Sequence, residues 1–156
     1  MVAARAAAEG RRVMGDAKDL MEAIQSMARG TIGDAMDACA WSHDGDGWRI
    51  TVDGACPVQG EGFVDGLPMY YRSRHCEWSF CIAAAPDGDP VGVGLGYGPD
   101  VAGWRFEGDD GGEGWTTADE SRPIVEACIA AWRARVDRST PTTVRRMELP
   151  SVVGDG

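Results

Sequence analysis

Between residues 44 and 84 the chain is a succession of alternating runs punctuated by Asp-Gly pairs, a pattern that few folds accept. Trp48, Ile50 and Val52 alternate with Arg49, Thr51 and Asp53. Side chains on a strand point to opposite faces with period two, so this run reads as a half-buried strand. Asp44-Gly45-Asp46-Gly47 precedes it as a turn, a second strand is expected near 58–64, and Asp65-Gly66 supplies the next turn. The chain contains no asparagine, so Asp-Gly stands where Asn-Gly often builds turns elsewhere. Met69, Tyr71 and Ser73 then alternate with Tyr70, Arg72 and Arg74, and Trp78, Phe80, Ile82 and Ala84 form the next inward set. Strands joined by such short turns make an antiparallel meander. Val91, Val93, Leu95 and Tyr97 alternate with four glycines, which predicts a strand over 91–98 with one bare face. Trp104 and Phe106, alternating with Arg105 and Glu107, add another.

Helical spacing flanks this β region. Ala17, Leu20, Met21, Ile24, Met27 and Ala28 follow a plausible N-cap at Asp16, and Gly30 is expected to end that helix. Thr31 and Asp34 resemble a capping box for a second, shorter helix carrying Ile32, Ala35, Met36 and Cys39, with a strand over 35–42 as the alternative. Ser121 caps the next helix, with Pro123 in its first turn and Ile124, Val125, Cys128, Ala131 and Trp132 facing inward. The expected fold is α+β: a meander sheet of about four to six strands with two or three helices packed on one face. Residues 1–13 read as a flexible arm, 14–137 as a single domain and 138–156 as a weakly docked tail.

The charge is uneven. The 156-residue chain has a formal charge of −10, and residues 14–137 carry 22 acidic against 9 basic side chains. Such a body disfavours direct contact with nucleic acid or an anionic membrane and favours a partner with a basic surface. Asp109, Asp110 and Glu113, in a Gly/Asp loop, are the candidate partner-binding residues. No apolar run approaches the ~20 residues of a membrane span, and the N-terminus lacks the apolar block of a secretory signal. A cytoplasmic location is expected. The cysteines, Cys39, Cys56, Cys76, Cys81 and Cys128, are odd in number and form no C-x-x-C pair, so neither a disulfide framework nor a metal site is expected.

Motifs with known chemistry fail on inspection. The Gly-x-Gly series at 92–98 has Tyr97 and Pro99 where a dinucleotide loop needs its third glycine, and no capped helix follows. Ser42, Asp44, Asp46 and Asp53 fall near calcium-loop positions, but the first should be Asp and the last a bidentate Glu. Cys39, His43, Cys76 and Cys81 have the right chemistry for zinc at an undistinguished spacing. Nucleophilic catalysis would rest on Cys76 with His43, because the side chains of the neighbours His75 and Cys76 diverge on an extended chain. No catalytic residue and no cofactor is assigned.

One stretch departs from its acidic surroundings. Tyr70, Arg72 and Arg74 share the outward face of their strand, and Arg49 and Arg105 are candidates to join them from neighbouring strands. Clustered guanidiniums beside a tyrosine suit a phosphate, a carboxylate or a stacked base. Cross-strand pairing with Glu61, Glu77 or Glu107 is the structural alternative.

The segment Gly62-Phe63-Val64-Asp65-Gly66-Leu67-Pro68-Met69-Tyr70-Tyr71-Arg72-Ser73-Arg74, followed by Trp78, resembles a hairpin in small uncharacterised bacterial and phage-encoded proteins. That resemblance implies an accessory protein of a mobile element. Three readings remain open, in this order. The first is a non-enzymatic binding protein that acts on a host protein with a basic surface, as an inhibitor or accessory. The second is a binder of a nucleotide or other small anionic ligand on the Arg/Tyr face. The third is a small enzyme using cysteine or carboxylate chemistry.

Overall fold

Three hairpins close on two-residue turns in which both positions have positive φ: Asp46-Gly47 (54° and 78°), Asp65-Gly66 (48° and 82°) and His75-Cys76 (55° and 68°). Turns of this kind match the right-handed twist of the strands they join, which is why they dominate tight hairpins. In the computed structural model, which describes residues 17–109, 116–135 and 139–150, they join neighbouring strands of one sheet. The chain divides into two compact units, Met1–Ala35 and Met36–Gly156.

The second unit contains seven strands: β1 (Trp41–Gly45), β2 (Trp48–Asp53), β3 (Val58–Val64), β4 (Leu67–Arg74), β5 (Glu77–Ala83), β6 (Gly103–Asp109) and β7 (Val144–Met147). They lie side by side in chain order. Every neighbouring pair is antiparallel except β6–β7, which is parallel. A parallel pair needs a crossover, and the helix Ala118–Arg133 lies within this one.

The register puts one apolar set on one face. Trp48, Ile50 and Val52 of β2 stand across from Val64, Gly62 and Gly60 of β3. The same rows continue through Met69 and Tyr71 to Ile82 and Phe80, and then to Trp104 and Phe106. These side chains share a buried cluster with Val125, Cys128 and Ile129 of the 118–133 helix and with Cys39. Two polar ties fix the helix region: Trp41 Nε1 donates to Ser121 Oγ at 2.8 Å, and the Tyr71 hydroxyl meets Thr116 Oγ1 at 2.9 Å. Trp48, Trp78, Phe80 and Trp104 are buried as expected, whereas Trp132 is half-buried and meets Trp104 edge to face at 5.5 Å.

The first helix, α1 (Ala17–Cys39), corrects the two-helix expectation: it runs through Gly30 and Gly33 without a break. A glycine inside a helix costs only about 1 kcal/mol relative to alanine, too little to end it unless a capping motif takes over. Its apolar stripe is not buried either. Met21, Ile24, Met27 and Ile32 are 55%, 51%, 72% and 58% exposed.

The second helix, α2 (Ala118–Arg133), starts four residues earlier than expected. Thr117 and Glu120 form its capping box, with the Thr117 backbone N–H donating to the Glu120 carboxylate at 2.8 Å, so Ser121 lies inside the helix. Two further expectations fail. Residues 91–98 are not a strand: Pro90–Gly92 is a single 3-10 turn, and Gly94, Gly96 and Gly98 take positive φ, which breaks the extended chain. Strands β1 and β7 were not foreseen, and β7 lies in the stretch expected to be a tail. No helix among the described residues is long and apolar enough to cross a membrane.

Candidate functional site: an arginine groove on the outer sheet face

The face of the sheet opposite the core carries the polar half of every alternating run. Its rows follow from the register. One row reads Thr51, Glu61, Tyr70, Cys81, Arg105 and Arg146 across β2 to β7. The next reads Asp53, Gln59, Arg72, Ser79 and Glu107, and the last described row reads Arg74, Glu77 and Asp109.

A groove of about 600 Å³ runs along β5, lined by Arg72, Arg74, His75, Ser79, Arg105 and Glu107 among others. Its origin is local. Ser79 is short and lies on the middle strand, while Arg72 on one neighbour and Arg105 and Glu107 on the other are long. Strands are spaced about 4.8 Å apart, so the two walls stand about 10 Å apart at their backbones. The segment after β5 is held to this face: Val93 is buried, and its carbonyl accepts from Arg105 Nη1 at 3.0 Å.

The five arginine and tyrosine candidates separate. Arg72, Arg74 and Arg105 come together in the groove. Tyr70 shares their face but is only 7% exposed, and its hydroxyl donates to Gln59 Oε1 at 2.7 Å. Burial, partly offset by Arg72, raises its pKa. Arg49 lies elsewhere, its guanidinium 4.9 Å from the Phe63 ring centre, beside a second hollow with Ser42, His43, Asp44 and Glu61.

Within the groove the arginines differ in what they already hold. Arg105 Nε donates to Glu107 at 2.5 Å, and its Nη1 reaches Cys81 Sγ at 3.3 Å besides the Val93 carbonyl. Arg146 takes the other Glu107 oxygen at 2.6 Å. Burial works against ionising Glu107, but hydrogen bonds and charge from Arg105 and Arg146 outweigh it and hold the carboxyl below its usual range. Arg72 has no such partner, and its Nε is buried without a hydrogen bond among the described residues.

The zinc candidates do not converge. Cys39 is in the core, and His43 stacks on Trp48 with ring centres 3.7 Å apart. Cys76 sits in the β4–β5 turn, and Cys81 faces the opposite side from the core, its thiol donating to the Val93 carbonyl. Among the described residues no group of three or more His, Cys, Asp or Glu side chains could hold a metal ion. Of the acidic-loop candidates, Asp109 ends β6 at the groove rim, whereas Asp110 and Glu113 lie outside the described residues.

Sequence reasoning missed the His75-Cys76 turn that borders the groove. The only signal was its position between two runs of opposite register, because neither residue is a usual turn former for positive φ. Comparison with family models, with curated proteins and with solved structures yields no match.

Proposed function

We propose that this is a non-enzymatic binding protein whose partner is another protein with a basic surface around an apolar groove. The observation that carries this reading is the exposed stripe on α1. Met21, Ile24 and Ile32 fall at helical spacing and are each more than half exposed. Exposed apolar side chains arranged in this way mark an interaction site, and a helix laid into a groove is a common way to use them.

Charge supports the choice of partner. Every aspartate and glutamate whose side chain is described is exposed, and the chain carries −10 overall. Two copies of such a chain repel each other, whereas a basic protein is attracted and steered towards it. Inhibition would follow from occupying the partner's basic groove.

The test uses two synthetic amphipathic helical peptides with the same leucine stripe, one flanked by lysine and one by glutamate. Fluorescence anisotropy should show saturable binding of the lysine peptide alone. Ile24→Gln with Ile32→Gln leaves the charge unchanged and should abolish it. Equal binding of both peptides, or no effect of the double substitution, would refute the reading.

A further inference from the structure

We infer that the β4–β6 groove is a phosphate-type oxyanion site in which Arg72 and Arg74 hold the anion above Ser79. The inference is independent of the protein-binding proposal and rests on different residues.

Arg72 is the starting point. A guanidinium is always charged and offers five N–H donors. Buried donors are nearly always satisfied, and an unsatisfied one calls for a missing acceptor. Arg72 Nε is such a donor, and the side chain lies on the groove wall.

The neighbouring residues say which acceptor fits. Arg74 is two residues along the same strand and face, so the two side chains start about 7 Å apart. Both open onto the groove, and among the described residues no ion pair holds either. Ser79 stands directly across from Arg72 in the β4–β5 register and offers a hydroxyl at the groove floor. Two guanidiniums and a hydroxyl provide more donors than one carboxylate can accept, whereas a phosphate has oxygens for all three.

The acids along the groove have to be weighed against this. Glu107 is already shared between Arg105 and Arg146, which cancels its charge locally. Glu77 stands across from Arg74 in the register and Asp109 follows in the same row, and among the described residues neither forms an ion pair with Arg74. An incoming dianion therefore meets two unengaged cations on β4.

The experiment is a titration of the ¹⁵N-labelled protein with inorganic phosphate, with sodium acetate as the parallel series at matched ionic strength. Phosphate should give saturable shifts at residues 72–79, and acetate none at the same concentrations. Arg72→Ala should weaken phosphate binding about tenfold or more, the usual loss when a charged hydrogen-bond partner is removed. Arg74→Ala, at an exposed position, should weaken it without disturbing the fold, and Arg49→Ala should leave it unchanged. Absence of saturation, equal response to acetate, or an unchanged titration in both Arg72→Ala and Arg74→Ala would overturn the assignment.

Discussion

Arg133, in the last turn of α2, grips Asp65 with two hydrogen bonds, Nη2 to Oδ1 at 2.7 Å and Nε to Oδ2 at 3.1 Å. The same Nη2 reaches the Asp46 carbonyl at 2.8 Å, so one guanidinium ties the helix end to two hairpin turns. Gly47 makes room for it: a Cβ there would lie 2.9 Å from the Asp65 carboxylate and 3.0 Å from Arg133 Nη2. The pair is about a third exposed on each side, so solvent screening discounts its strength. Arg133→Ala should cost about 1 kcal/mol in a urea melt. Arg133→Lys should recover less than half of that, because an ammonium cannot make the paired contact.

The His75-Cys76 turn should be improvable. Left-handed backbone costs an ordinary residue roughly 1–2 kcal/mol, and glycine avoids that cost while losing more entropy on folding. Cys76→Gly should therefore raise stability by about 0.5–1 kcal/mol, measured by thermal or urea unfolding. A loss of stability would mean that the Cys76 side chain contributes packing that outweighs the strain.

Glu107 gives the fold an acid-sensitive element. Burial would raise its pKa, but Arg105 and Arg146 outweigh that and hold the carboxyl of the folded protein below the ordinary value of 4.5. A depressed carboxyl contributes stability that is fully present above the unfolded value and is lost as pH falls through the folded one. Stability should decline as pH drops from about 4.5, and Glu107→Gln should flatten that decline. Urea midpoints of the two proteins between neutral pH and pH ~3 check it, and parallel curves would count against the pairing.

The thiols should fall into two classes. Cys56 is exposed and Cys76 intermediate, whereas Cys39, Cys81 and Cys128 are buried. Burial also pushes the Cys81 thiol up to about 11, with Arg105 pulling partly against it, and raises Cys39 and Cys128. The thiolate is the reactive form, so these three are doubly protected. A chromogenic disulfide reagent should titrate two thiols in the native protein and five after denaturation. Fast reaction of a third native thiol would show that a buried site opens readily.

Much of the sheet was legible because alternation and tight turns are local properties. Trp48 to Asp53 and Met69 to Ile82 declare their faces residue by residue, and the observed register follows. The same signal misled at 91–98, where alternating glycines imitate a strand but take positive φ instead. Strand β7 was hidden because Val144–Met147 carries two arginines on a sheet edge, and its partner is more than forty residues away along the chain. The groove was half visible. Arg72 and Arg74 are fixed by strand period alone, whereas the company of Arg105 and the separation of Arg49 depend on which residues face each other across strands. Nothing local distinguishes an apolar helical stripe that is buried from one left exposed, which is why α1 was read as packed.

The central claim, that the stripe on α1 is the contact surface for a basic protein, is tested most directly by mapping a bound probe on the chain. Adding the lysine-flanked leucine peptide to ¹⁵N-labelled protein should shift amides along Met21–Ile32, with the largest changes near Ile24, Met27 and Ile32. The shifts should shrink as salt is raised, since steering charges are screened over ~8 Å at physiological ionic strength. Shifts confined to the outer sheet face around Arg72, or spread evenly over the acidic surface with none along α1, would contradict it.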